Sequence, residues 1–471
     1  MLESFNSFVG VINGYVWGWP MIILLLGTGL FLSIGLRFYT LLNIPYAFSL
    51  LRPGHKEQGE GDITPFQALT TALSATIGNG NIVGVAAAIL VGGPGAVFWM
   101  WIVALVGMAT KYGEAVLAVT YREVDARGRQ QGGPMYYIKN GMGKGWGWLG
   151  WLFAFFAMIA AFGIGNMFQA NAVAEAVAGP VLGLAQGSEA HSVALLSVGV
   201  VLAVLTFAVI IGGVTRIGAV AQYLMPFMAA VYVIAGLAVV GINAEHVPQA
   251  FSWIFSYAFT GTAAGGGFVG GVILLAMRYG FARGIFSNEA GLGSAAIAHA
   301  AAKTDDPVRQ GTIAMLGTFI DTIIVCTITA IAILTVYVPG PADIMMPIWQ
   351  MEGAEGAVLT ANAFGATIPM GQLIVSMGTV LFAYSTLLGW SYYGERSAEF
   401  IFGERVIMPY RLLWVVVIVI GASPYFNLGD IINFADTMNG LMAVPNLIAL
   451  LALSGVIFAA TKEAQAKRKQ K

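Results

Sequence analysis

The chain has 471 residues, is 58% hydrophobic and only 10% charged, and has a mean hydropathy of +0.80. Soluble domains carry about 25% charged residues, so the composition excludes a soluble globular protein and describes an all-α polytopic membrane protein with little mass outside the bilayer. A net charge of −1 without a basic stripe gives no footing for nucleic acid, while four scattered histidines and a single cysteine, Cys326, exclude a histidine metal centre and an internal disulfide.

Residues 1–16 hold no Lys or Arg ahead of the first apolar run, so no secretory signal is expected. Apolar stretches of bilayer length, about 20 residues each, follow at 17–37, 67–91, 95–119, 149–178, 194–213, 219–241, 267–300, 311–338, 369–393, 411–428 and 432–459. That makes about 11 transmembrane helices, separated by turns such as Gly92-Gly-Pro-Gly95. The 61 glycines, against roughly 33 at average usage, suit close helix packing and helix breaks.

The second span contains Ala75-Thr-Ile-Gly-Asn-Gly-Asn-Ile-Val-Gly84, and the seventh contains Gly284-Ile-Phe-Ser-Asn-Glu-Ala-Gly-Leu-Gly-Ser294. In hydrocarbon a helix break survives only inside protein or beside a polar cavity. Two interrupted spans at corresponding positions of the two halves point to a transporter site at the midplane. The plainer alternative, packing glycines, accounts less well for the pair than for either alone. Gly78 and Gly80 let a ligand approach the backbone, and Asn79 and Asn81 offer hydrogen bonds without net charge. N–H groups at the start of a half-helix suit a carboxylate.

With the N-terminus outside, every basic residue except Arg278 and Arg283 falls in or beside an internal connection or the tail; the list runs from Arg37, Arg52 and Lys56 through Lys111 and Arg122 to Arg396, Arg405, Arg411 and Lys471. The opposite connections, near 179–193, 243–266 and 339–368, hold none, which places the C-terminus in the cytoplasm. Arg278 and Arg283 lie inside the seventh span and need partners or water there. Glu289, Asp321 and Glu175 are the intramembrane acids on offer. The longest internal connection, 120–148, carries Gln130-Gln-Gly-Gly-Pro-Met-Tyr-Tyr-Ile138, which reads as a turn followed by an aromatic helix, a gate element or simple packing.

The segments TALSATIGNGNIVGVA (71–86), QGGPMYYI (131–138), GIFSNEAGLGSAAIAHAA (284–301) and GWSYYGER (389–396) resemble the alanine or glycine:cation symporters, over about residues 10–460. One departure is Ala296, where the family commonly has proline; the site should be unaffected. The resemblance implies a LeuT-type fold of two inverted five-helix repeats with broken spans 2 and 7, here 67–241 and 267–459, with 17–37 added in front and 460–471 as a cytoplasmic tail. It implies sodium-coupled uptake of alanine or glycine across a prokaryotic plasma membrane, with no cofactor beyond the coupling ion, no obligate protein partner and membrane lipid as surroundings. For the substrate it implies the break residues Thr76, Gly78, Asn79, Gly80 and Asn81. Phe168 and Gln169 of the fourth span join them, with Ile285, Phe286, Ser287 and Asn288 as the wall in the second break. For sodium it implies the hydroxyls of Ser385 and Thr386 with the carbonyls of Ser74, Ile77 and Phe382. Helix packing or back-bonding is the competing account of Phe168, Gln169, Ser385 and Thr386. Proton coupling through Asp321 or Glu175 is the alternative mechanism. A channel would need a repeated filter element, and an enzyme a catalytic constellation; the spans show neither.

Overall fold

The structure is a computed structural model that describes residues 2–52, 59–260, 269–340, 344–351, 356–425 and 428–470. His55, Lys56, Lys471, the start of the expected seventh span at 267–268, and parts of the 243–266 and 339–368 connections and of the 411–428 span lie outside these residues.

In chain order the helices are α1 (Leu2–Val16), α2 (Trp19–Gly35), α3 (Tyr39–Leu42), α4 (Ile44–Ser49), α5 (Pro65–Thr76), α6 (Val85–Gly92) and α7 (Gly95–Thr120). A short antiparallel hairpin follows, β1 (Glu123–Val124) and β2 (Gln130–Gln131), with Glu123 opposite Gln131. Then come α8 (Pro134–Gly141), α9 (Gly147–Ala160), α10 (Phe168–Ala176), α11 (Glu189–Ile210), α12 (Gly213–Ile242), α13 (Val247–Phe259), α14 (Val269–Asn288), α15 (Ser294–Ala300), α16 (Pro307–Thr318) and α17 (Thr327–Thr335). A second hairpin, β3 (Tyr337–Pro339) and β4 (Met345–Pro347), precedes α18 (Gly356–Thr367), α19 (Gly371–Phe402), α20 (Ile407–Ala422), α21 (Leu428–Leu441), α22 (Ala443–Ala452) and α23 (Ser454–Lys469). Among the described residues, 9 helical stretches are long and apolar enough to cross a membrane, up to 10 when the bent pair Pro65–Thr76 and Gly80–Gly92 counts as one span. The region expected as the tail continues as the helix α23.

Helix α7 is the central post, with α2, α13, α14, α15 and α16 packed around it. Helices α11, α12 and α20 present exposed Val201, Val204, Phe227, Ile234 and Leu413 outward, which suits contact with lipid. Two helices occupy stretches read as plain connections, α13 within 243–266 and α18 within 339–368. Both are shorter than a bilayer needs, so the span count passed over them.

The helix is interrupted at both motifs, with different geometry. A capping box between Thr64 and Gln67, with Pro65 in the first turn, starts α5. The helix ends at Thr76 because Ile77 swings to ψ 97°, and the chain re-enters through a wide π turn at Gly80–Gly84 with a 55° bend. The second break lies later than expected: Ile285, Phe286, Ser287 and Asn288 are the last turn of α14, and the chain departs at residues 289–293. Glu289 takes φ 55°, followed by Gly291 at 91° and Gly293 at 85°. A non-glycine residue in the left-handed region is uncommon, so its place was not legible in the local composition. The freed amides are satisfied from α7: Glu114 Oε1 accepts from Gly291 N (3.0 Å), Gly293 N (3.2 Å) and Asn446 Nδ2 (2.8 Å).

Three basic residues assigned to connections are instead buried in helices. Lys111 sits within α7 at 2% exposure. Arg396 of α19 and Arg411 of α20 are held by acids: Arg396 by Glu395 (3.2 Å) and Glu399 (2.6 Å), Arg411 by Glu395 (2.5 Å). Arg411 is paired across helices and Arg396 within its own helix, while Lys111 Nζ has no hydrogen-bond partner among the described residues.

Candidate functional site

The bend between Thr76 and Gly80 is the point where α5, α10, α14 and α19 meet. Ser385 and Thr386, one apart on α19, face it. Ser385 Oγ lies 3.2 Å from the Ser74 carbonyl and 2.8 Å from the Phe382 carbonyl. Thr386 Oγ1 lies 3.0 Å from the same Phe382 carbonyl. Gly78 allows this approach, because a Cβ there would stand 2.8 Å from Thr386 Oγ1. Four oxygens thus converge with their hydrogens directed at carbonyls and the hydroxyl lone pairs free, a neutral donor set suited to a hard monovalent cation. Ile77 is fully buried at the end of α5, where its turned ψ takes its carbonyl off the helix axis.

Deeper in the bend, the two asparagines play different roles. Asn81 Oδ1 accepts from Gly78 N (2.9 Å) and its Nδ2 donates to Asp321 Oδ1 (2.7 Å), so this side chain is used up holding the break open. Asn79 Nδ2 donates to Gln169 Oε1 at 3.3 Å, while Gln169 Nε2 donates to the Ile164 carbonyl at 3.2 Å. Asn79 Oδ1 is buried and has no hydrogen-bond partner among the described residues. An unpaired buried carbonyl oxygen costs about 1–3 kcal/mol, and a ligand ammonium would relieve it. Gly80 faces α14: a Cβ there would lie 3.4 Å from Ser287 Cα and 3.5 Å from the Phe286 ring.

The expected site residues therefore divide. Gly78, Asn79, Gly80, Gln169 and Phe286 surround one point, beside the oxygens of Ser74, Phe382, Ser385 and Thr386. Phe168, the residue before Gln169, opens α10 and is half-buried. Thr76 Oγ1 donates back to the Ala72 and Leu73 carbonyls (both 3.3 Å), an in-helix bond of the kind Thr386 makes to Phe382. Ile285 is fully buried and contributes no polar contact. Ser287 and Asn288 lie beside the bend and bond to the π turn at Phe319–Cys326: Ser287 Oγ donates to Asp321 Oδ2 (2.9 Å) and Asn288 Nδ2 to Thr322 Oγ1 (3.0 Å).

Asp321 is the residue whose role the sequence reading missed. The sequence offers it as a partner for Arg278 or Arg283 or as a proton-coupling acid; its carboxylate gathers Asn81, Ser287 and Thr322, the last at 2.7 Å, and so links α14 to the bend after α5. None of the three acids offered to those arginines takes the part among the described residues. Glu175 meets His191 at 3.2 Å, and Glu289 accepts from Trp390 Nε1 (3.0 Å) and Ser294 Oγ (2.6 Å). The usable signal was an Asp-Thr pair inside an apolar run. Three π turns, Gly80–Gly84, Ala161–Met167 and Phe319–Cys326, border this region, and such turns recur at functional sites.

At the basic face the two broken spans are bolted to each other. Ile63 pairs with Ala302, and Lys303 N donates to the Ile63 carbonyl at 2.7 Å. Arg122 donates to the carbonyls of Glu60 (2.9 Å), Ala300 (3.1 Å), Ala302 (2.8 Å) and Thr304 (2.8 Å). Burial lowers its guanidinium from the ordinary value, against Asp305, Glu60 and Asp62, which favour the charge. The turn and aromatic helix expected at 130–138 are present as β2 and α8, with Gly133 at φ 113° between them.

A family model described as the sodium:alanine symporter family matches residues 2–471. The sodium/alanine symporter AgcS of Methanococcus maripaludis is 50% identical over 469 residues, covering 98% of this chain and 97% of that one. An uncharacterized transporter of Haemophilus influenzae is 46% identical, covering 98% and 96%. Among solved structures, MhsT in complex with L-phenylalanine superposes with a TM-score of 0.53 at 13% identity, covering 82% of this chain and 89% of that one, which is a likeness of fold alone.

Proposed function

The chain belongs to the sodium:alanine symporter family, and from that premise we propose that it is a secondary transporter carrying alanine or glycine with sodium into a prokaryotic cell by alternating access. It is a transporter and not an enzyme. The reading includes eleven spans in a LeuT-type arrangement of two inverted five-helix repeats, an external N-terminus and a cytoplasmic C-terminus. The observation that carries the substrate class is Asn79 Oδ1, a buried acceptor without a partner at the bend of a broken helix, next to four neutral oxygens. A zwitterion fits that arrangement. The substrate ammonium takes Asn79 Oδ1, and the carboxylate lies along the N–H groups that open the second half-helix. Sodium occupies the oxygens of Ser74, Phe382, Ser385 and Thr386 with the Ile77 carbonyl. Gly78 and Gly80 remove the methyl groups that would hold the ligand off the backbone, and Phe286 narrows the pocket to small side chains.

One charge crossing about 100 mV releases about 2.3 kcal/mol, and a tenfold sodium gradient adds about 1.4 kcal/mol. That total supports several-hundred-fold accumulation of a neutral amino acid with one ion. Proton coupling through Asp321 is the second reading, because this carboxylate is fully buried and the donors facing it, Asn81, Ser287 and Thr322, are neutral. Proteoliposomes given labelled alanine under a sodium, lithium or proton gradient test both. Sodium-driven accumulation, competed by glycine, supports the first reading. Uptake driven by a proton gradient without sodium, and lost in Asp321→Asn, replaces it with the second.

A further inference from the structure

A cavity of about 620 Å³ opens at the basic face, where α3, α4, the start of α16 and α23 meet. Tyr39 and Tyr46 line one side of it, and the Tyr39 hydroxyl meets Thr312 Oγ1 at 3.1 Å. The segment ahead of α16 brings two acids. Asp305 Oδ1 lies 3.3 Å from Glu60 N and 3.8 Å from Arg122 Nη2, and Asp306 Oδ1 caps α16 by accepting from Arg309 N at 3.0 Å. Helix α23 brings cations. Arg468 lies over the Tyr46 ring, 3.4 Å from its centroid, and its Nη1 donates to Asn43 Oδ1 at 3.2 Å; this fixes the guanidinium plane and uses one of its donors. Lys467 Nζ meets Glu463 Oε1 at 2.7 Å across one exposed helical turn, a pair that water makes weak. Tyr39 feels Arg468 and Asp306 alike, so charges of both signs border the same space.

This cavity lies where the protein meets the bilayer surface. Beyond α2 the chain turns through Arg37 (φ 53°) and Phe38 (φ 57°), and α3 and α4 then run along the basic face. Phe38, Leu42 and Phe48 are exposed there, beside the two tyrosines, as suits a segment lying at the interface. Helix α23 follows the last span and is held down by its first half. Phe458 packs on Gly35 and on Phe31 (ring centroids 5.9 Å), and Thr461 Oγ1 meets Tyr112 Oη at 2.6 Å. Its basic end is thereby carried out at the level of lipid headgroups.

We propose that the cavity binds a phospholipid headgroup carrying both a phosphate and a primary ammonium, from the leaflet at the basic face. The phosphate lies on Arg468, whose fork matches two of its oxygens, and on Lys467. The ammonium lies on Asp305 and Asp306, which accept the N–H donors that a quaternary ammonium lacks. The acyl chains join the bilayer beside Phe38, Leu42 and Phe48. A phosphate alone would face the acids, and an amine alone the cations, so the two walls together select a headgroup with both. Asp305 also belongs to the contact that bolts the broken spans together, through Glu60 N and Arg122. An ammonium sharing Asp305 draws it from that contact, so the bound lipid favours opening of the basic face. This last step rests on the alternating-access reading above; the binding does not.

The test is native mass spectrometry of the purified full chain, titrated with phosphatidylethanolamine, phosphatidylcholine or phosphatidylglycerol of identical acyl chains. Wild type should take phosphatidylethanolamine at about tenfold lower concentration than the other two. Arg468→Gln should weaken all three, with Arg468→Lys in between. Asp305→Asn combined with Asp306→Asn, which keeps the helix cap, should erase the preference for ethanolamine over choline. Glycerophosphoethanolamine, the same headgroup without chains, should compete poorly. Equal or tighter binding of phosphatidylglycerol, a preference that survives the double variant, or tight competition by the chainless headgroup overturns the lipid site. In liposomes, replacing phosphatidylcholine by phosphatidylethanolamine should raise sodium-driven alanine uptake about threefold in wild type and leave the double variant unchanged. Selective binding with uptake indifferent to the lipid overturns the link to opening. Loss of the lipid preference with sodium-driven uptake intact overturns the lipid site and leaves the transport reading standing.

Discussion

Replacing Gly78 by alanine should strike the ion and spare the fold. The added Cβ would stand 2.8 Å from Thr386 Oγ1, well inside the 3.4 Å at which ordinary contacts begin. The next neighbour is Gln169 Oε1 at 3.9 Å, so the clash is with the threonine hydroxyl alone. Relief requires Thr386 to rotate, leaving a rotamer well at about 0.5–1.5 kcal/mol and giving up its hydrogen bond to the Phe382 carbonyl at about 0.5–1.5 kcal/mol. Together that is about 1–3 kcal/mol, or roughly a 5- to 150-fold rise in the sodium concentration for half-maximal alanine uptake. Gly80→Ala is the control. Its Cβ meets Ser287 Cα at 3.4 Å and Phe286 at 3.5 and 3.7 Å, all tolerable, so sodium activation should stay within about twofold. The alanine KM should rise instead, because the methyl occupies the approach to the backbone. Initial uptake rates in proteoliposomes, with sodium and alanine varied independently, separate the two. Unchanged sodium activation in Gly78→Ala, with only the maximal rate reduced, would refute the placement of the ion beside Thr386.

Thr386→Val keeps the shape and removes one oxygen, so sodium half-saturation should rise about tenfold while membrane insertion, read by expression and monodispersity, stays normal. Phe286→Ala should admit serine and leucine as competitors of alanine uptake, since enlarging an apolar wall relaxes discrimination by about 1–3 kcal/mol. Arg122→Ala removes four hydrogen bonds to backbone carbonyls that join segment 60–63 to segment 300–304. Labelling of Thr71→Cys in a Cys326→Ala background, by a membrane-impermeant thiol reagent added from the basic face, should speed up at least about fivefold, with Arg122→Lys in between; equal rates in all three would show that this contact does not restrain opening.

What the residues determine alone follows from short-range physics. A composition with few charges and apolar runs of bilayer length admits only a helical membrane protein, and Gly78-Asn-Gly-Asn81 within such a run cannot stay a closed helix without cost. The neighbouring hydroxyls at Ser385 and Thr386, and the turn at Gly132-Gly-Pro134, were legible for the same reason, since each is a local choice of residue types with a local consequence.

The tertiary structure decided which distant groups share a contact. Asp321 reads in sequence as a counter-ion for an arginine, but the fold sets it against Asn81, Ser287 and Thr322, and Arg283 faces Asp436 from a helix about 150 residues away in sequence. The second break lies past Asn288, where Gly291 and Gly293 take positive φ and Glu114 of α7 supplies the acceptor for their amides, a partner that the sequence alone does not place. Lys111 and Arg396 count as loop charges by spacing and are buried by packing. In hydrocarbon a freed amide or a charge without a partner is costly, and which partner it finds depends on how the helices cross, a distance in space that separation along the chain does not encode.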